Sequence, residues 1–220
     1  MNQPSISQYL VSTCLLIIDE FNELFRDVDK ETLKNKADKV FNEMDITVML
    51  GYPFRHSVHY NAINPRSKTK KVHDLWVDVK DFSIEVKYLK NWKSSLGHDS
   101  NKKNWDEYEK DFSWLFNEID EGNKDKRAFI IGWFNCVDYF ASLIKLGSSR
   151  GSKPVAEPGR VRYFPFLYQD TATPIASDLV INYNLAYKPM PVSVFGRMNG
   201  DYQCIFLGQK EDVFHFALYY

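Results

Sequence analysis

The sequence predicts a mixed α/β fold in which helices flank a β-sheet and the C-terminal part is rich in strands. Three observations support this prediction: helical periodicity near the N-terminus, an alternating hairpin followed by a helix and a buried strand, and repeated strand patterns in the last third. With 220 residues and 44% hydrophobic content, the chain is long enough to bury one good-sized core. We therefore expect a single domain over residues 1–220.

The first region is predicted to be helical. Residues 6–26 carry an apolar stripe at helical spacing, made of Ile6, Leu10, Cys14, Ile17, Phe21, Leu24 and Phe25. A second helix is expected at about 30–44. The apolar run ITVML at 46–50 is predicted to be a short strand, and residues 54–71, which show no clear period, are predicted to form a loop.

The middle region predicts a β-hairpin, a helix and a strand. Residues 71–79 and 82–90 alternate apolar and polar side chains, and Lys80-Asp81 is expected to be the two-residue turn. The spacing predicts a helix over 104–120, and the apolar run RAFIIGWF at 127–134 predicts a buried strand. Together these elements complete a core over about residues 5–134.

The last third predicts a β-rich C-terminal extension over about 148–220. Strand patterns occur at 178–186 and in the final residues, DVFHFALYY. Asn199-Gly200, between two further strand patterns, is the strongest hairpin signal in the chain.

Composition excludes some classes of protein. No apolar run reaches the roughly 18 residues that cross a membrane. Three cysteines far apart favour a reduced, cytoplasmic protein in which they are packing residues. A net charge of −1 gives no global sign of a nucleic-acid partner, although a local basic face is sufficient for phosphate contacts.

The hairpin carries charges on one face. With a Lys80-Asp81 turn, Asp74 lies opposite Lys87, and Asp74 and Asp78 are both diagonal to Glu85. The other face is apolar and buries Val77, Val79, Phe82, Ile84 and Val86. Converging carboxylates beside an ammonium suit a divalent cation, because Mg²⁺ takes carboxylate oxygens together with water and substrate phosphate. A solvent-facing cross-strand ion pair is the structural alternative.

The stretch DLWVDVKDFSIEVK resembles the D…(D/E)-x-K core of the PD-(D/E)XK nuclease superfamily, which includes many restriction endonucleases. The resemblance covers about residues 5–134 and places Asp74, Glu85 and Lys87 as the catalytic triad. Two features depart from the family pattern: His73 stands where a proline is usual, and the Q-x-x-x-Y signature of the RecB-like branch is absent from 104–120.

The resemblance implies a restriction endonuclease-like fold and a Mg²⁺-dependent endonuclease of the type II restriction kind that hydrolyses DNA phosphodiester bonds. Asp74 and Glu85 would hold Mg²⁺, with Mn²⁺ as a substitute, and Lys87 would position or activate the attacking water. Double-stranded DNA and a homodimer are the expected partners. The alternative is a catalytically inactive nuclease-fold module that binds DNA or a protein.

Basic loops bracket the hairpin and are expected to contact nucleic acid. The predicted contact residues are Lys70, Lys71, Lys93, Arg150, Lys153, Arg160 and Arg162. Whether Asp78 joins the metal site, or Glu20 or Glu23 from the first helix, is left open by the sequence. His73 and His98 flank the triad and are interpreted as bystanders.

Overall fold

A computed structural model describes residues 4–68, 70–90, 105–137, 140–149, 153–168, 171–172, 174–194 and 201–220. Three helices precede the hairpin and three follow it. Their bounds are α1 Ile6–Leu24, α2 Lys30–Val40, α3 Glu43–Gly51, α4 Trp105–Glu118, α5 Phe140–Leu143 and α6 Pro158–Val161. No helix among the described residues is both long and apolar enough to cross a membrane.

Seven of the strands form one sheet. The strands are β1 Val58–Ile63, β2 Val72–Val77, β3 Phe82–Tyr88, β4 Arg127–Phe134, β5 Leu167–Tyr168, β6 Val180–Ile181, β7 Pro189–Pro191, β8 Gln203–Leu207 and β9 Phe214–Tyr219. The order in the large sheet is β1-β2-β3-β4-β9-β8-β7, and β5 pairs with β6 in a separate small sheet. Strands β3 and β4 are parallel and joined through α4, whereas the other neighbouring strands of the large sheet are antiparallel. The predicted mixed α/β class is therefore confirmed.

Each face of the sheet is covered by its own hydrophobic cluster. On one face, α1, α2 and α3 pack buried side chains such as Leu10, Phe21 and Leu50 against β2, β3 and β4. On the other face, α4 packs with the segments after β4, through side chains such as Phe112 and Phe164. This two-sided cover explains why β4 is buried along its whole length.

Two elements before the hairpin differ from the prediction. Residues 46–50 lie in α3, because the Asn42 side chain accepts the Met44 and Asp45 N–H groups and the Asp45 carboxylate accepts the Asn42 N–H. This cap starts a helix that the apolar run alone does not reveal. The predicted loop at 54–71 contains β1, which forms the edge of the sheet beside β2.

The hairpin is present, but its predicted register is wrong by two residues. Val77, not Val79, pairs with Phe82, because Asp78–Lys80 form a 3₁₀ turn and Asp81 takes a left-handed backbone with φ 56°. Val79 is consequently exposed rather than buried. A shift of two residues keeps the paired side chains of Leu75–Val77 and Phe82–Ile84 on their predicted faces, and continuing the observed register puts Asp74 opposite Glu85.

Within the predicted C-terminal extension, β7, β8 and β9 belong to the main sheet, whereas β5 and β6 form the small separate sheet. β9 pairs with β4 over six positions, and β8 pairs with β9. The predicted strand at 178–186 is reduced to the two residues of β6, followed by a 3₁₀ turn. The hairpin signal at Asn199-Gly200 lies outside the described residues.

Candidate active site

The site begins where β2 and β3 separate. Asp74 Oδ2 accepts the backbone N–H of Val86 at 2.7 Å, so a side chain takes the place of a backbone partner in the ladder. On its other side, Asp74 faces Asn61, which has a left-handed backbone with φ 48° at the interrupted position of the β1–β2 ladder. The strand alternation breaks here, since Leu75 packs with the α1–α3 face while His73 contacts Trp114 of α4.

Glu85 projects from β3 toward α4 and is almost fully buried. Its Oε1 lies 2.6 Å from His73 Nδ1 and 3.3 Å from Lys71 Nζ. His73 Nε2 is also buried, and it has no hydrogen-bond partner within the described parts of the chain. His73, interpreted from the sequence as a bystander, contacts a residue of the predicted triad, and its ring holds one oxygen of Glu85 in place.

Lys87, two residues further along β3, lies between two carboxylates. Its Nζ is 3.4 Å from Asp111 Oδ2 on α4 and 3.7 Å from Glu43 Oε1 on α3. Burial acts to lower the Lys87 pKa, but the charges of Glu43, Asp111 and Asp74 outweigh it and raise the pKa above its ordinary value. Lys87 is thus a fixed positive charge at this end of the hairpin.

Glu43 enters the site from the first turn of α3. The Asn42 cap places it there, and its Oε2 accepts the Tyr88 backbone N–H at 3.2 Å. The early-helix candidates Glu20 and Glu23 are exposed on α1 instead. An acidic residue from an early helix does reach the hairpin, but it is Glu43.

Asp111 of α4 links the two lysines. Its Oδ1 contacts Lys71 Nζ at 3.0 Å, and its Oδ2 contacts Lys87 Nζ at 3.4 Å. Asp111 is buried, on the inward face of a helix whose neighbouring aromatic residues pack against the sheet. The crossover connection between β3 and β4 therefore supplies an essential part of the network.

Negative charge exceeds positive charge in this network. Among the described residues, ion pairs join three carboxylates, Glu43, Glu85 and Asp111, to the ammonium groups of Lys71 and Lys87. Asp74 adds a fourth carboxylate, which interacts electrostatically with Glu43, Glu85 and Lys87. Buried like charges are costly unless a further cation or proton neutralises them.

The surrounding negative charges affect the pKa of Asp74. Burial raises its pKa, the Val86 N–H and Lys87 lower it, and the charges of Glu85 and Glu43 raise it, with the result that the pKa stands at about 6. A carboxyl group that resists ionisation in a partly buried, acidic site is the kind of group found at functional centres.

The donor set suits a hard divalent cation. No group of three or more His, Cys, Asp or Glu side chains forms a complete metal site within the described ranges. Mg²⁺, however, commonly uses one or two carboxylates with waters and substrate phosphate. Asp74 Oδ1 and Glu85 Oε2 make no hydrogen bond to the described residues, so each carboxylate keeps an open oxygen. Asp74 and Glu85 therefore fit the ion predicted from the sequence.

The structure brings the predicted triad of Asp74, Glu85 and Lys87 together at one end of the hairpin. Asp78 lies at the opposite end, in the turn, where it pairs with Arg66 at 2.6 Å. Asp78 is thus excluded from the site by geometry.

The predicted nucleic-acid residues are distributed unevenly. Lys71 belongs to the site network instead of facing solvent, and Arg160 is half-buried, donating to the Lys145 carbonyl and lying over Trp105. The exposed members are Lys70, Lys153 and Arg162, while Lys93, Arg150 and also His98 lie outside the described residues.

Sequence reasoning missed Glu43 and Asp111 as site residues. A signal for Glu43 was present, because Asn42 with Asp45 is a capping pattern that puts Glu43 in a first helical turn. Asp111 had no comparable signal, since its approach to Lys71 and Lys87 depends on how α4 crosses the sheet. No protein-family model matches the chain, and no curated protein or solved structure shows detectable similarity to it.

Proposed function

We propose that this chain is a Mg²⁺-dependent endonuclease that hydrolyses phosphodiester bonds of double-stranded DNA, of the type II restriction kind. The observation that carries the proposal is the excess of carboxylates around Asp74 and Glu85, with the pKa of Asp74 raised to about 6. A divalent cation bound there would neutralise this charge, polarise a phosphoryl oxygen and lower the pKa of a bound water. The D…E-x-K spacing and the sheet-and-helix setting of the triad agree with the resemblance to the PD-(D/E)XK nucleases.

Each side chain of the site would have its own role in the reaction. Asp74 and Glu85 would hold the cation through their open oxygens. The Lys87 ammonium would orient the attacking water and stabilise negative charge that develops on the phosphoryl oxygens. Asp111 and Glu43 fix the position of Lys87, and His73 fixes one oxygen of Glu85, so the reacting groups are held before substrate arrives.

Symmetric cutting of a duplex needs two active sites, so a homodimer belongs to the proposal. Of the predicted contact residues, Lys70, Lys153 and Arg162 are exposed and therefore available to meet phosphates. The second candidate function is an inactive nuclease-fold module that binds DNA or a protein. The contacts of Glu85 Oε1 with His73 and Lys71 favour it, because they already satisfy one oxygen of the proposed ligand.

A cleavage assay separates the two functions. Supercoiled plasmid and phage DNA are incubated with the protein and Mg²⁺, Mn²⁺, Ca²⁺ or EDTA, and the products are read on a gel. We expect cleavage with Mg²⁺ or Mn²⁺, and binding with little cleavage in Ca²⁺, which accepts looser coordination geometry. Cleavage in EDTA would rule out the metal mechanism, and salt-dependent DNA binding without cleavage under every condition would favour the inactive module.

Lys87→Ala tests the catalytic assignment within the same assay. Its turnover should fall by about 10²–10³-fold with DNA affinity little changed, because its role is confined to the transition state. Lys80→Ala, which removes the same charge from the turn of the same hairpin, is the matched control and should cleave at the wild-type rate. Equal rates for Lys87→Ala and the wild type would contradict the assignment.

A further inference from the structure

Lys71 lies in a cage of negative groups. Its Nζ is 3.0 Å from Asp111 Oδ1 and 3.3 Å from Glu85 Oε1, and both of these carboxylates are buried. A third side is closed by the face of the Trp114 ring, whose centre lies 4.6 Å from Nζ. An aromatic face attracts a cation through its negative quadrupole, so three groups favour positive charge at this point.

These contacts assign Lys71 to the interior of the site. Moving its ammonium out to a DNA phosphate would leave Glu85 and Asp111 facing each other, both buried and without the charge between them. A lysine that binds phosphate would instead resemble Lys70, its exposed neighbour. The position of Lys71 is that of a counter-ion.

We infer that the Lys71 ammonium is a built-in second cation of the site, so that the protein binds one divalent ion where the same carboxylates without Lys71 would bind two. This inference rests on the proposed function, since the first ion is the one held by Asp74 and Glu85. Glu85 would be shared between the two positions: its Oε1 faces Lys71, and its Oε2, which makes no hydrogen bond to the described residues, would bind the first ion. This is the arrangement of a bridging carboxylate between two cations.

Charge and geometry both support the inference that the Lys71 ammonium takes the place of a second divalent ion. An ammonium supplies one positive charge where a second divalent ion would supply two, and it contacts oxygens at about 3 Å instead of the about 2.0–2.1 Å of Mg²⁺. Removing the ammonium leaves Glu85 Oε1 and Asp111 Oδ1 within a small side-chain movement of a common metal. It also restores an unneutralised negative charge that favours such an ion.

The test counts bound Mn²⁺ ions by electron paramagnetic resonance, without DNA, in the wild type and in Lys71→Met. We expect one ion in the wild type and two in Lys71→Met. Lys68→Met is the matched control, because it removes the same charge from an exposed side chain and should bind one ion. The double variant Lys71→Met/Asp111→Asn removes a ligand of the new position and should return the count to one.

Circular dichroism melting shows whether each variant is folded before Mn²⁺ is added. If Lys71→Met does not fold, Lys71→Gln is used in its place. Two ions in the wild type, or one ion in the Lys71 variant, would overturn the inference and leave the proposed nuclease intact. No ion in the wild type would overturn the metal site itself. The wild-type count is informative even if neither variant folds.

Discussion

Two buried polar networks lie at opposite ends of the β2–β3 hairpin, and they differ in charge balance. At the turn end, the carboxylates of Asp81 and Glu118 meet the cations of Lys126 and Arg127. At the open end, Glu43, Glu85 and Asp111 pair with Lys71 and Lys87, and Asp74 lies beside them. The ion pairs of the first network match one carboxylate to one cation, whereas carboxylates outnumber lysines among the described residues of the second.

At the turn end, hydrogen bonds and ion pairs satisfy the polar side chains, so this network acts as a structural clamp on the hairpin. Arg127 Nε donates to Glu118 Oε2 at 2.7 Å, and its Nη1 donates to the Asp81 carbonyl at 2.6 Å. Asn64 donates to both Asp81 Oδ1 and Ser83 Oγ. Burial acts to raise the Asp81 pKa, but Asn64, Arg127 and Lys126 outweigh it and hold the pKa below its ordinary value.

The open end has the opposite effect on its central carboxyl group, since the pKa of Asp74 is raised to about 6. A carboxylate whose charge is favoured by its neighbours stabilises the fold, whereas one whose charge is opposed destabilises it until a cation or proton arrives. The comparison therefore separates a structural network from a candidate functional one on the same hairpin.

The largest effect should come from replacing an aspartate by asparagine at the open end, compared with the same replacement at the turn end. Asp74→Asn should lower DNA cleavage by more than about 10³-fold, because it removes a charged ligand of the proposed ion. It should also raise the melting temperature of the metal-free protein by several degrees at pH 8, since the Asn oxygen can still accept the Val86 N–H. Gel assays and calorimetry measure the two changes.

Asp81→Asn is the matched control for that exchange. Its left-handed backbone tolerates Asn, so the change isolates the charge. It should retain cleavage and lower the melting temperature, because Lys126 loses its partner. An active Asp74→Asn protein, or a stabilised Asp81→Asn protein, would reverse the assignment of the two ends.

The next effect concerns Arg127 alone. Arg127→Met should destabilise the protein by about 3–5 kcal/mol, because it leaves Glu118 buried without its cation. Arg66→Met breaks an exposed pair with Asp78 and should cost no more than about 1 kcal/mol. Urea unfolding compares the two variants, and equal losses would show that the turn-end network is not a buried clamp.

The third effect is a pH dependence with a defined sign. The folded-state pKa of Asp74, about 6, exceeds the ordinary value of 3.8, so ionising Asp74 disfavours the folded state. In EDTA, the stability advantage of Asp74→Asn over the wild type should be absent below about pH 4, grow between about pH 4 and 6, and level off above. Its plateau should be on the order of 3 kcal/mol. An advantage independent of pH would contradict the raised pKa.

The smallest effect should follow Asp78→Asn. This carboxylate is half exposed and its contact with Arg66 lies in the turn, away from Lys87 and Glu85. We expect cleavage within about twofold of the wild type and a stability change below about 1 kcal/mol. Plasmid-nicking rates and urea midpoints measure both quantities, and a large loss of cleavage would move the site toward the turn.

The sequence predicted much of the fold and part of the site, for identifiable reasons. Periodicity was sufficient for α1 and α4, where one face is buried, and the uninterrupted apolar run was sufficient for β4, which is buried on both faces. It failed for ITVML, since a buried apolar run of this length suits either strand or helix and the Asn42 cap decided for helix. The hairpin register was missed because a 3₁₀ turn replaced the expected two-residue turn.

The residues of the candidate site also divide into those that the sequence predicted and those that it missed. Asp74, Glu85 and Lys87 lie on two adjacent strands, so the hairpin pattern is sufficient to bring them near one another. Glu43 and Asp111 reach them from α3 and α4, and their approach depends on helix packing that no local pattern encodes. Lys71 could be placed beside the hairpin from its sequence position, but its pairing with Glu85 and Asp111 required the fold.

The most direct test of the account is the effect of Ca²⁺ on the melting temperature of three proteins at pH 7.5: the wild type, Asp74→Asn and Asp81→Asn. A ligand present at 100 times its dissociation constant stabilises the folded state by about 2.7 kcal/mol. If the open end of the hairpin binds a divalent cation, we expect Ca²⁺ to raise the melting temperatures of the wild type and Asp81→Asn by similar amounts. The melting temperature of Asp74→Asn should stay nearly unchanged. No rise in the wild type, or an equal rise in Asp74→Asn, would contradict the claim that the open end of the hairpin is a divalent-cation site.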